Sequence, residues 1–142
     1  MNLVIVGCSR RKRHTGQPVP ALDLYEGGCI PRLRQRISHL PELRARVRIL
    51  SAEHGLIDTD RLLMPYDRVL TPERALELRP LAATALSRQF TAEGLPEQVL
   101  VVAEPLYQLI VWDQLHQVRL HLIDDPRDWA AVAAVLDAWG WP

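Results

Sequence analysis

The sequence predicts one α/β domain over residues 1–142, a three-layer sandwich around a mostly parallel sheet of roughly four strands. Two observations favour this class. Segments rich in β-branched residues or leucine alternate with segments of helical periodicity along the chain. The 142 residues are 48% hydrophobic and 24% charged, which is enough apolar material for one covered core and typical of a soluble globular protein.

Four segments are predicted to form the strands. They are residues 3–6, 47–51, 99–103 and 118–123. The first three are almost wholly apolar, as in parallel strands that helices cover on both faces. Arg119 and His121 interrupt the fourth, which indicates a strand at the edge of the sheet, in an orientation that the sequence leaves open.

The segments between the strands are predicted to be helical. Thr71 followed by proline predicts a helix start, Gly94 predicts its end, and Pro80 predicts a kink or a division between them. For the last helix, Asp125 is the expected N-cap, and Trp129 begins an apolar face. Strands and helices that alternate in this way are joined by right-handed crossovers, which bring the carboxyl ends of parallel strands to one edge of the sheet.

The sequence lacks the marks of several protein classes. Its longest apolar run, residues 129–136, is far too short to span a bilayer, and the first residues form no export signal. Cys8 and Cys29 form no disulfide framework, and the histidines show no metal-ligand spacing. The sequence contains neither a glycine-rich phosphate loop nor a Gly-x-Ser-x-Gly elbow. We therefore expect a cytoplasmic protein with no metal, no cofactor and no membrane partner, and its oligomeric state stays open.

Charge is divided unevenly along the chain. Residues 1–48 contain ten basic and three acidic residues, a net charge of +7, so the rest of the chain carries −7. Most of these arginines are expected to form a solvated face or to pair with the acidic half. The cluster after the first strand is the exception, and Arg10, Arg11 and Arg13 are the candidates for contacts with nucleic-acid phosphates.

Polar residues follow each predicted strand at its carboxyl end, where ligands bind in open α/β sheets. Glu53 and His54 form the strongest pair and are the predicted catalytic residues, because an acid beside an imidazole can orient a ligand or move a proton, whereas a structural turn needs only Asn or Gly. Tyr25 and Tyr66 suit either packing or stacking on a planar ligand. The predicted binding residues are Cys8, Ser9, Lys12, Tyr25, Ser51, Gly55, Tyr66, Asp67, Glu104 and Tyr107.

Several candidates have structural alternatives. Cys8 suits a small packed side chain more often than a nucleophile. Ser9 could cap a turn as readily as it could bind an anion, and Glu104 could face either the crevice or solvent. Asp124 and Asp125 are left out of the predicted site, because helix capping explains at least one of them.

At these positions the chain resembles a small uncharacterised family of bacterial and phage domains. The shared features are Cys-Ser-x-x-Lys, Ala-x-x-Leu-Tyr, Leu-Ser-Ala-x-His-Gly-Leu and Pro-Tyr-Asp, which this chain carries at residues 8–12, 21–25, 50–56 and 65–67. The third block is also similar to the Leu-Ser-Gly-x-Tyr-Gly segment of the YaaA peroxide-stress proteins, which are associated with DNA binding and protection from oxidative damage. The first block is similar to a domain of archaeosine synthase, which acts on a deazaguanine base in transfer RNA. His54 stands where YaaA proteins tend to have tyrosine, and this shorter chain lacks any helical DNA-binding insertion that they use.

The resemblance implies a protein that binds a nucleobase, nucleoside or nucleotide, free or within nucleic acid. From the residue types we expect cleavage or exchange of an N-glycosidic bond, in which Glu53 stabilises positive charge on the sugar or activates water. His54 would bind or protonate the leaving base, and Ser9 with Lys12 would hold a phosphate. The alternatives are a non-catalytic DNA-associated stress-response protein and, ranked last, a Cys-dependent hydrolase or transferase that uses Cys8 and His54.

Overall fold

The computed structural model describes residues 1–142 and contains one five-stranded sheet with helices on both faces. The strands of this sheet are β1 (Asn2–Gly7), β3 (Val47–Ser51), β4 (Gly55–Asp58), β6 (Gln98–Val102) and β7 (Arg119–Ile123), and a small separate pair is formed by β2 (Val19–Pro20) and β5 (Leu62–Leu63). The helices are α1 (Ala21–Leu24), α2 (Ile30–Ile37), α3 (Pro41–Arg44), α4 (Pro72–Glu93), α5 (Pro105–Val111) and α6 (Trp129–Ala138), and a 3-10 turn covers Trp112–Gln114.

The strand order is β4-β3-β1-β6-β7, and all neighbouring pairs are parallel except β3 with β4. The predicted α/β class with a mostly parallel sheet is therefore confirmed. The last strand is parallel and lies at the edge. The additional strand, β4, follows β3 through a tight turn in which Gly55 adopts a φ of 76°, a backbone angle that other residues resist.

Alternate residues of the central strands face the two helical layers. Val4 and Val6 of β1 pack with α1, α2 and α6, whereas Leu3 and Ile5 pack with α4 and α5. Because successive side chains of a strand point to opposite faces, an unbroken apolar strand serves both cores at once. The three central strands are almost fully buried for this reason.

Two helix starts show what the sequence predicts well and what it does not. Thr71 caps α4, since its hydroxyl accepts a hydrogen bond from the Arg74 amide at 3.1 Å, and Pro80 leaves the helix undivided. Asp125 is not the cap of α6. Asp128 has that role and accepts from the Ala131 amide, while the Asp125 carboxylate accepts from the Arg127 amide in the preceding turn.

No helix in the protein combines the length and the apolar character that a transmembrane span needs.

Candidate functional site

A crevice of about 860 Å³ lies at the carboxyl ends of β1, β6 and β7. The chain runs from β1 to β3 on one side and later returns to β6 on the other, so the crevice lies at the point where the strand order reverses. Most of its lining is polar. Of the predicted site residues, the crevice walls contain Cys8, Ser9, Arg10, Arg11, Lys12, Asp67, Glu104 and Tyr107.

The loop after β1 forms the cationic side of the crevice. It is held by the end of α1 and the residues that follow, because the Arg13 amide donates to the Leu24 carbonyl at 2.7 Å and the Glu26 amide donates to the Arg11 carbonyl at 2.8 Å. Arg10 and Arg11 are exposed and form no ion pair. Arg13 differs from them, since its guanidinium lies 3.8 Å from the Glu26 carboxylate.

The Ser9 hydroxyl fixes the shape of this loop. It donates to the Arg11 carbonyl at 2.8 Å and accepts from the Gly27 amide at 3.1 Å. A Cβ at position 27 would lie only 2.9 Å from the Ser9 Cβ, so Gly27 permits the close approach. Because the Ser9 hydroxyl donates its proton to a main-chain carbonyl, the geometry favours the turn-forming alternative for Ser9.

Cys8, which follows β1, and Tyr107 of α5, which follows β6, contact each other in the crevice wall. The Cys8 Sγ lies 3.4 Å from the Tyr107 hydroxyl oxygen. Cys8 is partly exposed, while Cys29 is buried in the core. Burial raises the pKa of Tyr107, so its phenol stays protonated and can donate a hydrogen bond at neutral pH. Glu104 precedes α5 and is exposed at the crevice.

Three hydroxyl groups form a chain behind the crevice. The Tyr66 hydroxyl lies 2.6 Å from the Ser51 hydroxyl and 2.6 Å from the Tyr25 hydroxyl. The Ser51 oxygen accepts from the amides of Glu53 and His54, at 3.2 and 3.1 Å. A hydroxyl oxygen has two acceptor positions, so Ser51 donates to Tyr66 and Tyr66 donates to Tyr25. Burial raises the pKa of Tyr25 to about 12, which keeps the chain protonated.

Tyr66 also contacts the residues on either side of it. The Lys12 Nζ lies 4.4 Å from the centre of the Tyr66 ring, and the His54 ring meets Tyr66 edge to face with centres 5.1 Å apart. Burial lowers the pKa of Lys12, against the smaller opposing effects of Cys8 and Asp67. The Lys12 ammonium group contacts an aromatic ring and forms no ion pair with a carboxylate.

The turn after β3 places Glu53 and His54 beside the crevice, outside its walls. Arg74 of α4 holds this turn by donating to the carbonyls of Ala52 and Glu53, at 3.0 and 2.8 Å. The Glu53 carboxylate pairs with Arg68 at 3.1 Å, and Arg68 does line the crevice. Burial, with a smaller effect of nearby Arg61, lowers the pKa of His54, so its imidazole is neutral at neutral pH.

Sequence reasoning missed several residues of the crevice walls. Asp124 and Asp125 line it, and Asp124 accepts a hydrogen bond from the Gln108 side chain at 2.6 Å. Their position after a predicted strand indicates a place at the ligand-binding edge of the sheet, but the capping interpretation excludes them from the predicted site. Arg68 gave no signal, because it lies in an irregular loop far along the chain from β1. No group of His, Cys, Asp and Glu residues in the structure has the arrangement of a metal site.

Comparison with known proteins gives a family and no curated relative. No curated protein matches the chain. One family model matches residues 3–126, which include the five strands of the sheet except Asn2 of β1, and all residues that line the crevice except Arg127. The chain therefore belongs to the family of unknown function DUF6884.

Proposed function

We propose that the protein binds a nucleotide, free or within nucleic acid, in the crevice and cleaves or exchanges its N-glycosidic bond. The observation that carries this proposal is the distribution of charge around the crevice. Unpaired cations follow β1, and carboxylates follow β6 and β7. A ligand with a phosphate at one end and hydrogen-bond donors at the other fits this arrangement, and about 860 Å³ is ample for one nucleotide.

The loop after β1 is the proposed phosphate-binding side. Arg10 and Arg11 are exposed and free of carboxylate partners, so a phosphate has no internal anion to displace. Arginine side chains can bind phosphate oxygens through two parallel hydrogen bonds. Lys12 adds a third cation at the inner end of the loop.

The opposite side supplies the groups for the sugar and base. Glu104 and Asp124 are hydrogen-bond acceptors for ribose hydroxyls and base amino groups. Tyr107 offers both a ring for stacking and a protonated hydroxyl. The resemblance of the Cys-Ser-x-x-Lys block to a domain of archaeosine synthase supports a base of the purine kind as the ligand.

For the reaction, Glu53 is the proposed stabiliser of positive charge on the sugar. Its present partner, Arg68, lines the crevice, so a phosphate that attracts Arg68 would free the carboxylate for the ligand. The neutral imidazole of His54 suits acceptance of a hydrogen bond from the base at neutral pH. Protonation of a leaving base by His54 would require a lower pH.

The exposed Arg10 and Arg11 also favour a second candidate function, that of a non-catalytic DNA-associated protein. The similarity to the YaaA peroxide-stress proteins supports this alternative. The two candidates share the phosphate contacts and differ in whether a base is released.

Calorimetric titration with a nucleobase, its nucleoside, its monophosphate and a short oligonucleotide tests the binding. We expect the monophosphate to bind more tightly than the nucleoside, with an affinity that falls as salt rises. The variant with Arg10→Ala and Arg11→Ala should lose that difference. Arg88→Ala, which removes an exposed and unpaired arginine of α4, is the control and should bind as wild type does. Wild type that binds none of the four probes contradicts the proposal.

Chromatography of the same mixtures then separates the two candidates. Release of free base by wild type and its loss in Glu53→Gln supports the glycosidic reaction. Tight, salt-dependent binding of the oligonucleotide without any base release supports the DNA-associated alternative.

A further inference from the structure

The chain contains a single lysine among 16 arginines, and this residue, Lys12, lies in the wall of the crevice. A guanidinium group keeps its proton in proteins, whereas an ammonium group can lose its proton and then act as a nucleophile. Lys12 is therefore the only side chain of the protein that can supply an aliphatic amine, and this amine lies in the crevice.

The Lys12 amine is held against aromatic rings. Its Nζ lies 4.4 Å from the centre of the Tyr66 ring and 5.8 Å from that of Tyr25, and it donates to a main-chain carbonyl of its own loop at 3.2 Å. It forms no ion pair with a carboxylate. Burial lowers the pKa of Lys12, so a larger fraction of this side chain than of an exposed lysine is neutral at neutral pH. The neutral amine has the free lone pair that a nucleophile needs.

The main chain fixes the place of this amine. Lys12 forms an antiparallel bridge with Tyr25, and the amide of the next residue, Arg13, donates to the Leu24 carbonyl at 2.7 Å. Tyr25 is fully buried, and its hydroxyl lies 2.6 Å from that of Tyr66, so the two rings that Nζ contacts are held in place as well. Such positioning favours a covalent reaction, because the reacting atoms must be brought close together and aligned.

The two arginines that precede Lys12 determine which part of a nucleotide comes near it. Arg10 and Arg11 are exposed at the crevice and have no carboxylate partner. In a nucleotide the phosphate is bonded to the sugar and not to the base. A phosphate bound by these arginines therefore places the sugar, with its carbon C1′, closer than the base to this loop.

We propose that Lys12 is the nucleophile of the glycosidic reaction and that its amine forms a covalent intermediate with C1′ of the sugar. This inference rests on the proposed function. The Nζ lone pair forms a bond to C1′, the bond between C1′ and the base nitrogen breaks, and the base leaves with that electron pair and one proton of the amine. The lone pair that Nζ regains then forms a C1′=N double bond while the C1′–O4′ bond breaks, and O4′ takes the second amine proton.

The product of these steps is an imine between Lys12 and the opened sugar. Water then releases the sugar and restores the amine, which completes the cleavage of the glycosidic bond. A second base that adds to the same carbon in place of water completes an exchange of bases. One covalent intermediate thus leads to both outcomes of the proposed reaction.

Reductive trapping on the wild-type protein tests the amine without any substitution. The probe is ribose 5-phosphate, whose open form has an aldehyde at C1, and cyanoborohydride reduces an imine to a stable amine. The chain has one other amine, at Met1, which lies at the opposite end of β1 from the crevice. Peptide mass mapping therefore compares two sites.

We expect Lys12 to be labelled before Met1 in the native protein. In unfolded protein the order should reverse, because an α-amino group ordinarily loses its proton more readily than a lysine. The double variant Arg10→Ala and Arg11→Ala should slow the labelling of Lys12 and leave that of Met1 unchanged. Native protein in which Met1 is labelled first overturns the proposal.

The matched control for trapping is Arg88→Lys, which places an amine on the exposed side of α4. This amine has no aromatic contact and no place in the crevice, so it should be labelled more slowly than Lys12. Equal rates at positions 12 and 88 overturn the proposal.

Lys12→Arg separates this inference from the proposed function. The variant keeps the positive charge, so it should bind a nucleoside monophosphate with an affinity close to that of wild type, but it should release no base. Borohydride added while wild type releases base should fix the sugar phosphate, without the base, on Lys12. Base release by Lys12→Arg at the wild-type rate overturns this inference and leaves the proposed function standing. Wild type that binds the monophosphate and releases no base overturns the glycosidic reaction and the covalent step together.

Discussion

The Lys12 Nζ lies 4.4 Å from the centre of the Tyr66 ring, and this contact joins the loop after β1 to the segment between β5 and α4. The same ring meets the edge of His54, and its hydroxyl is bonded to Ser51 at 2.6 Å. A cation on an aromatic face contributes about 0.5–2 kcal/mol, depending on how far it is desolvated. Tyr66 therefore contacts side chains that follow both strand ends, Lys12 after β1 and His54 after β3.

Tyr66→Phe should destabilise the protein by about 1–3 kcal/mol, because it leaves the buried hydroxyls of Ser51 and Tyr25 without their partner. The ring remains, so its contacts with Lys12 and His54 should persist. Urea unfolding measures the change. Tyr107→Phe is the matched control, since it removes a hydroxyl that contacts only the Cys8 thiol, and its effect should be smaller. Equal stability of the two variants would contradict the role given to the hydroxyl chain.

Arg74→Lys should also destabilise the protein by about 1–3 kcal/mol. The guanidinium donates to two carbonyls of the turn after β3, and a lysine cannot reproduce that planar pair of donors. The control is Arg79→Lys on the same helix, whose partner Asp113 is largely exposed, so the expected loss is below about 1 kcal/mol. Midpoints of urea unfolding compare the two. An Arg79 effect as large as that of Arg74 would show that the turn does not depend on this contact.

The sequence predicts the central strands because a short, wholly apolar segment fits few structures other than a strand that is covered by helices on both faces. β4 escapes the prediction for a local reason. It has only four residues, of which Leu56 and Ile57 are apolar, and it follows β3 so closely that the turn at Gly55 looks like the end of one strand. The antiparallel direction of β4 relative to β3 is set by this turn, and the pattern of apolar residues does not indicate strand direction.

The site is only partly predictable for a different physical reason. Cys8, Glu104 and Tyr107 follow predicted strands, so the topology of parallel sheets brings them together. The contact of Arg74 with the carbonyl groups of another element depends on tertiary packing, and an arginine on a helix carries no mark of it in the sequence. Asp125 and Asp128 both precede the apolar segment of the last helix as possible N-caps, and only the backbone geometry decides between them.

The stability of the protein should depend on the charge of His54. Burial lowers the pKa of this imidazole in the folded chain below its ordinary value of 6.5. The folded state then holds the proton less tightly than the unfolded state. The contribution of the neutral imidazole to the free energy of unfolding is therefore complete above about pH 6.5 and is lost as the pH falls through the lowered pKa. We expect the unfolding free energy of wild type, minus that of His54→Gln, to decrease between about pH 7.5 and pH 5. If this signed difference stays constant or increases in acid, the assignment is contradicted.

The two cysteines should react with iodoacetamide in a fixed order. Cys8 is partly exposed and lines the crevice, whereas Cys29 is only 2% exposed. Burial, with the carboxylates of Asp128 and Asp125, raises the pKa of Cys29 to about 11, so its thiolate fraction is very small at about pH 8. Mass spectrometry should find Cys8 modified in the native protein and Cys29 modified only after unfolding. Native labelling of Cys29 at the rate of Cys8 would contradict the packing of α2 against the sheet.

Occupation of the crevice should slow the labelling of Cys8. A nucleotide in the crevice that contacts the loop after β1 and Tyr107 would cover the thiol, because Cys8 lies in the crevice wall with its Sγ 3.4 Å from the Tyr107 hydroxyl oxygen. The rate should fall with the saturation measured by calorimetry, and the double variant Arg10→Ala and Arg11→Ala should need more nucleotide for the same protection. Unfolded protein with the same nucleotide is the control for direct effects on the reagent. If the nucleotide binds but leaves the rate at Cys8 unchanged, its site lies outside the crevice.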